Sequence, residues 1–157
     1  MTIIGVDPGL KGALGFVSGR KAKAYPMPTL KLTKSKKTID EQKLREYFVK
    51  HKVRHVYIEK VSARPGQGVT SMFNFGTGWG LVRGICVGLQ IPYTLITPQA
   101  WKKVMCAGMA KGSKDISIIV AKRLWPKINL KPTPRSNESD GMADAVCIAE
   151  YGRRELK

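Results

Sequence analysis

Short apolar runs that are interrupted by glycine open the chain and predict three β-strands. The runs are TIIGVD, GALGFVS and KAKAYPM, at residues 2–7, 12–18 and 21–27. Tight turns that contain glycine separate them, as in an antiparallel sheet. The segment LKLTKSKKT, at residues 30–38, is rich in lysine and is predicted to be a basic loop.

Helical and strand-like patterns alternate along the rest of the chain. They predict helices near residues 40–51, 71–89, 98–106 and 114–125, strands at 53–59 and 92–98, and a terminal helix that contains SDGMADAVCIAEY. Antiparallel strands followed by β–α alternation indicate a single α/β domain over residues 1–157. We expect a mixed five-stranded sheet with helices on its faces.

The longest predicted helix contains an unusual stripe of glycine. Gly76, Gly80, Gly84 and Gly88 recur at every fourth position. Each glycine costs a helix about 1 kcal/mol relative to alanine, so four of them need a structural reason. Close packing of another backbone against the stripe would supply one, within the fold or across a dimer axis. Arg83 excludes the membrane version of this small-residue motif.

The charge balance narrows the class of partner. The net charge of +17 arises from 28 Lys and Arg against 11 Asp and Glu, which favours a polyanion as partner. An anionic membrane is the competing interpretation, but it calls for a basic amphipathic helix or a lipidation signal, and the chain ends show neither. We therefore expect nucleic acid and no membrane partner.

The chain ends and the cysteines bear on location. The N-terminal run MTIIGVD meets a carboxylate at residue 7 and is not typical of a secretory signal. Three cysteines without CxxC spacing indicate reduced thiols. These features predict a cytoplasmic protein, located in the bacterial host cytoplasm if the chain is phage-encoded.

Four carboxylates occupy positions that are unusual for a basic chain. Asp7 and Glu59 end apolar strands, whereas Asp140 and Asp144 lie four residues apart and share one face of an otherwise apolar helix. Any one of them could be a cap, an ion-pair partner or a solvated helix end. If they converge, they need cations between them, and two Mg²⁺ ions in phosphodiester hydrolysis would meet that need.

Four motifs, in this order, resemble those of RuvC-type Holliday junction resolvases of the RNase H-like superfamily. They are IIGVDPGLKGALGF, VYIEKV, TPQAWKK and SDGMADAVCIAEY, and together they span nearly the whole chain. The loop RPGQGVTSMFNFG is most similar to phage-encoded members. The resemblance implies an RNase H-like fold and a homodimer that cuts four-way DNA junctions with Mg²⁺ or Mn²⁺, two ions per active site.

The resemblance also implies roles for individual residues. Asp7, Glu59 and Asp144 fall on family carboxylates, and Lys102 falls on a basic residue near the scissile phosphate, with Lys103 as the alternate. The two helix carboxylates of the family are usually three residues apart, and this sequence departs from that spacing. Glycine stands three residues before Asp144, so Asp140 is assigned as the fourth ligand; Glu138 would point to another side of the helix.

The basic loops are expected to bind DNA, although some of their lysines are only solvated. The candidates are Lys31, Lys34, Lys36, Lys37, Arg64, Gln67, Lys111 and Lys114. Phe73 and Phe75 either stack on bases at the junction centre or belong to the core. Two other functions stay open: a broader debranching or RNA–DNA hybrid nuclease of the same fold, and a non-catalytic DNA-binding module.

Overall fold

The computed structural model describes residues 1–34, 36–60, 62, 65–109 and 115–156. Its strands are β1 (Thr2–Asp7), β2 (Ala13–Ser18), β3 (Lys21–Pro26), β4 (Thr29–Lys31), β5 (Lys37–Ile39), β6 (Val53–Glu59) and β7 (Tyr93–Ile96). Its helices are α1 (Glu41–Lys50), α2 (Val69–Gly88), α3 (Pro98–Met105), α4 (Ile116–Leu124) and α5 (Asp140–Glu155). Within the described ranges, no helix is both long enough and apolar enough to cross a membrane.

Five strands form the main sheet, in the order β3-β2-β1-β6-β7. β1, β2 and β3 are antiparallel, whereas β6 runs parallel to both β1 and β7. The register pairs Val6 with Ile58, so the residues that follow them, Asp7 and Glu59, end adjacent parallel strands at the same edge. The mixed sheet that the sequence predicts is confirmed.

Helices cover both faces of this sheet. On one face, α1 and α2 contribute Leu44, Phe48 and Val82 to an apolar cluster with β1 and β2. On the other face, α3, α4 and α5 pack together around Trp101 and Ile148. The alternating side chains of each strand supply both cores, because successive residues point to opposite faces. The predicted two-sided arrangement is therefore also confirmed.

Two strand glycines let α5 lie directly on the sheet. A Cβ atom on Gly5 would overlap the carbonyl oxygen of Ala145, and one on Gly15 would overlap the backbone of the same residue. Any larger residue at either position would push the helix away, because backbone atoms cannot yield as a flexible side chain can. This close approach fixes the height of α5 above β1 and β2.

The basic segment at residues 30–38 differs from the prediction of a continuous loop. Its two ends form β4 and β5, an antiparallel pair that the hydrogen bond from Leu32 N–H to the Lys36 carbonyl closes at 2.9 Å. Ile39, at the end of β5, is buried in the core. The lysines of the segment are exposed, so no alternation of buried and exposed side chains marked these strands in the sequence.

The glycine stripe faces outward. A Cβ atom on Gly76, Gly80, Gly84 or Gly88 would meet no atom of the described residues within 4 Å. Packing of the stripe within the fold, one of the two explanations offered above, is therefore wrong for the part of the chain that the structure describes. The glycine of α2 that does pack closely is Gly78, where a Cβ atom would overlap the Pro8 carbonyl oxygen.

Candidate active site

The strand-end carboxylates Asp7 and Glu59 lie side by side where β1 and β6 end. The Gly9 N–H donates a hydrogen bond to Asp7 Oδ1 at 3.4 Å. The Trp101 Nε1–H donates to Glu59 Oε1 at 3.0 Å, and Trp101 itself is completely buried in α3. Because a buried indole cannot reorient easily, this bond fixes the Glu59 side chain at the edge of the sheet.

Asp144, on α5, lies near Asp7 and Glu59. It lies in the second turn of α5, half-buried, and its neighbours Ala143 and Ala145 are fully buried. Its charge is close enough to those of Asp7 and Glu59 to raise the pKa of each. The three carboxylates that the sequence assigns to the centre thus occupy one region of the molecule.

Lys102 supplies positive charge to this region. It is exposed on α3, with Nζ 5.1 Å from the centroid of the Trp101 ring, and its charge opposes the rise that burial causes in the pKa of all three carboxyl groups. The alternate lysine, Lys103, is exposed on the same helix and has no such influence on the carboxylates. The geometry therefore favours Lys102 over Lys103 as the basic residue of the site.

Negative charge at the site is incompletely neutralised. Burial raises the pKa of Asp7 and Asp144 above their ordinary 3.8 and that of Glu59 above 4.5. Hydrogen bonds and the charge of Lys102 oppose this rise, whereas repulsion between the carboxylates adds to it. A site of this kind gains stability from any cation that enters, because the cation relieves both burial and repulsion.

Asp140, the candidate for the fourth ligand, lies at the N-terminus of α5. Ser139 caps the helix by accepting a hydrogen bond from the Met142 N–H at 3.3 Å, so Asp140 is not needed as the cap. Asp140 is exposed and its charge raises the pKa of Asp144. Gly141 faces the centre, since a Cβ atom there would lie 3.4 Å from Asp7 Oδ2. Glu138 points elsewhere and pairs with Lys122 at 2.6 Å.

The donor chemistry of the site suits a divalent hard cation. Carboxylate oxygens are the ligands that Mg²⁺ and Mn²⁺ prefer. Among the described residues, however, no three carboxylate, imidazole or thiol side chains stand close enough to enclose an ion by themselves. The carboxylates can affect one another's pKa without enclosing an ion, because electrostatic repulsion acts over longer distances than a metal–oxygen bond of about 2.1 Å. Mg²⁺ also usually keeps waters and substrate phosphate among its ligands, so the protein need not supply all of them.

A cavity of about 420 Å³ opens next to this centre. Glu59 forms part of its wall together with Gln67, Phe75 and Gln99. Gln67 was a candidate for DNA binding, and Phe75 was one of the two aromatic candidates. The sequence pattern did not indicate Gln99 as a site residue, although it lies in the TPQAWKK motif. Trp101 lies in the same motif, and its hydrogen bond to Glu59 was not predicted either.

The other DNA-binding candidates are distributed over several surfaces. Phe73 is 74% exposed and does not belong to the core, whereas Phe75 is half-buried. Three of the candidates lie outside the described residues: Arg64, Lys111 and Lys114. Four exposed lysines lie on or beside the β4–β5 hairpin: Lys31, Lys34, Lys36 and Lys37.

Comparisons with known proteins bear on the fold. No protein-family model and no curated protein sequence matches the chain. Among solved structures, Thermus thermophilus RuvC in complex with a Holliday junction substrate is similar with a TM-score of 0.69 and 16% identity, over 99% of this chain and 96% of that chain. The yeast mitochondrial Holliday junction resolvase has a TM-score of 0.57 and 14% identity, over 97% and 77%. Fowlpox virus resolvase, bound to Holliday junction DNA, has a TM-score of 0.52 and 16% identity, over 100% of both chains. The chain therefore has the RNase H-like fold of RuvC-type Holliday junction resolvases.

Proposed function

We propose that this protein is a metal-dependent endonuclease that resolves four-way DNA junctions and related branched DNA. The observation that carries the proposal is the convergence of Asp7, Glu59 and Asp144 beside Lys102, at one edge of the sheet. The fold supports it, since the three solved structures compared above are Holliday junction resolvases. Grouped acids near DNA would hinder a protein that only binds, so a non-catalytic module is disfavoured.

The residues of the site have distinct roles in this reaction. Asp7, Glu59 and Asp144 would hold two Mg²⁺ or Mn²⁺ ions, with Asp140 as the outermost ligand. The ions, when bound, supply an activated water and stabilise the leaving oxygen. The Lys102 ammonium group stabilises negative charge on the scissile phosphate or orients the attacking water. Trp101 keeps Glu59 in position through its 3.0 Å hydrogen bond.

The charge of the chain suits a large DNA substrate. The exposed lysines of the β4–β5 hairpin contact phosphates, and a net charge of +17 attracts the junction from a distance. Phe73, exposed at the beginning of α2, stacks on a base at the centre of the junction. Phosphate contacts of this kind position the substrate without reading its sequence.

The exposed face of α2 supports a homodimer. Beside the glycine stripe it carries Val69, Phe73 and Val87, which are 85%, 74% and 66% exposed. Arg83 is the one charged residue in this 20-residue helix, and its guanidinium turns back to lie 4.4 Å from the centroid of the Trp79 ring. An uncharged apolar face is unusual on so basic a chain, and two such faces bury each other in a two-fold dimer. A dimer matches the two equivalent cut sites of a junction.

Isosteric variants test the chemistry on a labelled four-way junction, a flap, a duplex and an RNA–DNA hybrid, with and without Mg²⁺. Asp7→Asn, Glu59→Gln and Asp144→Asn should each abolish cleavage and leave junction binding intact or slightly tighter, because a negative charge near phosphate is removed. Asp140→Asn should behave alike if Asp140 is the fourth ligand. The matched control Glu46→Gln, on the exposed side of α1, should cut normally.

Each alternative has its own result. Near-normal cutting by Asp140→Asn beside an inactive Asp144→Asn would remove Asp140 from the metal site. Preferential cleavage of the flap or the hybrid would identify a broader debranching or hybrid nuclease. Continued cutting by all four carboxylate variants would overturn the nuclease proposal itself.

A further inference from the structure

A second cavity, of about 460 Å³, lies beside the edge strand β3. Two segments that the structure describes completely form its walls: residues 20–23 at the start of β3 and residues 124–128 after α4. The register pairs Lys21 with Ser18 and Ser18 with Thr2, so the cavity lies at the end of the sheet opposite Asp7. The length of β1, about 17 Å for five residue steps, separates it from the carboxylates.

The wall after α4 is apolar and fixed in shape. Trp125 and Ile128 pack against buried side chains of β2 and α5. The Trp125 N–H donates a hydrogen bond to the Ala121 carbonyl at 2.8 Å, and the Ile128 N–H donates to the Trp125 carbonyl at 2.9 Å. Leu124 adds an apolar side chain that is 37% exposed. Such a wall gains stability when another apolar side chain covers it.

The wall at β3 is a strand with a free edge. Among the described strands, β2 alone pairs with β3, which therefore forms one edge of the main sheet. The N–H and C=O groups along a free edge pair readily with another extended backbone. An extended segment that enters the cavity can therefore continue the sheet.

The two faces of β3 differ in chemistry. Ala22 packs with the apolar cluster on the side of α5, and it also lines the cavity. Lys21 and Lys23 are exposed, and the alternation of a strand directs them to the opposite face. The register agrees, because Lys23 lies opposite Phe16, which belongs to the core on the side of α1. One face of β3 is thus apolar and the other is basic.

A strand that pairs with β3 meets both faces in turn. Its successive side chains point alternately into the apolar cavity and towards the face of Lys21 and Lys23. Arg20 and Lys127 also line the cavity, and none of its described lining residues is acidic. The matching segment therefore alternates apolar and acidic residues.

Two other occupants fit this surface less well. A second copy of β3 would place lysine opposite lysine, and like charges in such positions destabilise a strand pair. DNA offers phosphates to the lysines, but it has no N–H and C=O groups with which to continue the sheet, and the apolar wall does not attract phosphate.

We propose that β3 and this cavity bind an extended segment of a partner protein in which acidic and apolar residues alternate. The segment adds a sixth strand to the main sheet, places apolar side chains against Leu124 and Trp125, and places carboxylates opposite Lys21 and Lys23. The inference goes beyond the proposed nuclease and does not depend on it. The partner binds at the end of the sheet remote from the carboxylates and leaves them accessible to DNA.

A defined peptide measures the binding. A fluorescein-labelled nine-residue peptide, in which Glu alternates with Val and one inner Val is replaced by Phe, is titrated with the full chain and followed by anisotropy. The control peptide has the same residues in block order, so its charge is equal but the alternation is lost. At about 0.15 M salt, which screens diffuse attraction, the alternating peptide should bind about tenfold more tightly. It should also increase the protection of β3 amides from hydrogen exchange.

Variants on each face of β3 test the two halves of the match. Leu124→Ser should weaken the alternating peptide by about tenfold and leave the control peptide unchanged, because it removes apolar surface from the cavity. Leu124 is partly exposed, so the melting temperature should stay near that of the wild type. The double variant Lys21→Glu, Lys23→Glu should weaken the alternating peptide more than Lys43→Glu, Arg45→Glu, which makes the same change of net charge on the exposed side of α1.

The remaining outcomes overturn the proposal. Equal affinity for the two peptides, unchanged protection of β3, or equal weakening by the two charge variants would assign the binding to net charge alone. A short thymidine strand of equal charge that binds more tightly and is weakened by Leu124→Ser would assign the cavity to nucleic acid. Self-association that Leu124→Ser abolishes in sedimentation would assign it to a second copy. Junction cleavage should be the same for Leu124→Ser and the wild type, so the peptide result stands whether or not the chain is a nuclease.

Discussion

The substitution Gly80→Leu acts in opposite directions on the monomer and on the proposed dimer. Gly80 lies in the middle of the exposed stripe of α2, and a Cβ atom there would meet no described atom within 4 Å. A leucine side chain therefore has open space in an isolated chain. In a dimer built on this stripe, the same side chain occupies the space that the second helix needs.

The monomer should become more stable. Glycine costs a helix interior about 1 kcal/mol relative to alanine, and leucine is nearly as good a helix former as alanine. For a chain of this size, 1 kcal/mol corresponds to a rise in Tm of about 2–4 °C. At concentrations at which the protein is monomeric, Gly80→Leu should melt higher than the wild type by this amount.

The dimer should weaken. Inserting a large side chain into a packed interface costs about 1–3 kcal/mol, and a two-fold axis places the substitution in the interface twice. The expected loss of about 2–6 kcal/mol raises the Kd of dimerisation by a factor of about 30 to about 10⁴. The gain in helix propensity is present in both states and cancels from this Kd.

Sedimentation across a concentration series measures the Kd, and thermal melting at the lowest concentration measures the monomer. Asn74→Ala, on α2 but away from the stripe, is the control for helix propensity and should stabilise the chain without changing the Kd. An unchanged Kd for Gly80→Leu would remove the stripe from the interface. A lower melting temperature of the monomer would show that this face of α2 is packed within the chain, and a wild-type protein that stays monomeric would end the homodimer proposal.

Three further predictions follow from the charges and contacts of the site and the hairpin. Junction affinity should fall by about 0.9 log units per phosphate contact for each log unit of salt, and filter binding should show a flatter slope for a triple alanine variant of the hairpin lysines. That variant replaces Lys34, Lys36 and Lys37; an unchanged slope would remove the hairpin from the DNA surface. In EDTA at pH 8, Asp144→Asn should melt above the wild type, because burial raises the pKa of Asp144 and the folded state disfavours its charged form. The stability contributed by this carboxyl group is fully present below its ordinary pKa of 3.8 and is lost as pH rises through the raised value, so the advantage of the variant should shrink as pH falls towards 4; a constant advantage would contradict this origin. Trp101→Phe removes the hydrogen bond that fixes the strand-end glutamate and should lower activity or Mg²⁺ affinity by about 10–100-fold in a Mg²⁺ titration of cleavage, whereas an unchanged titration would assign Trp101 to packing alone.

The sheet follows from the sequence pattern, whereas the shared site of its two strand-end carboxylates is implied by the family resemblance and has a simple structural reason. Asp7 and Glu59 each end an apolar strand, and buried parallel neighbours in one sheet end at the same edge. Asp144 is assigned to the same centre by the resemblance of its helix motif to that of the family, whereas its place among apolar residues shows only that it lies on a helix face directed towards the core. Periodicity and the order of the elements are enough for the sheet, but not for the site.

Other features depend on distances between elements that are far apart in sequence. In the sequence, Gly5 and Gly15 look like ordinary interruptions of strands, yet they set the approach of α5. The stripe through Gly80 looks like a packing surface but is exposed, whereas Gly78 outside it is buried against the Pro8 carbonyl. Periodicity shows which residues share a helix face, and tertiary structure decides which face is covered.

The cavity beside Glu59 likewise depends on how elements pack, which periodicity does not show. Gln99 is a polar residue at the beginning of a helix, where its sequence context suggests only a solvated side chain. Its relation to Glu59 arises because α3 begins just after β7, which pairs with β6. The hairpin of β4 and β5 was missed for a related reason, since a few backbone hydrogen bonds form it and its side chains leave no pattern of burial.

The docking of α5 on Gly5 and Gly15 also has a consequence for synthesis. Asp7 leaves the ribosome well before Asp144, which lies in the helix that follows every other element of the fold. A nascent chain holds both strand-end carboxylates long before the helix that completes the site has emerged. In the proposed nuclease, the growing polypeptide is therefore inactive towards DNA until α5 has docked on the two glycines. The order of translation thus protects nearby nucleic acid from the incomplete chain.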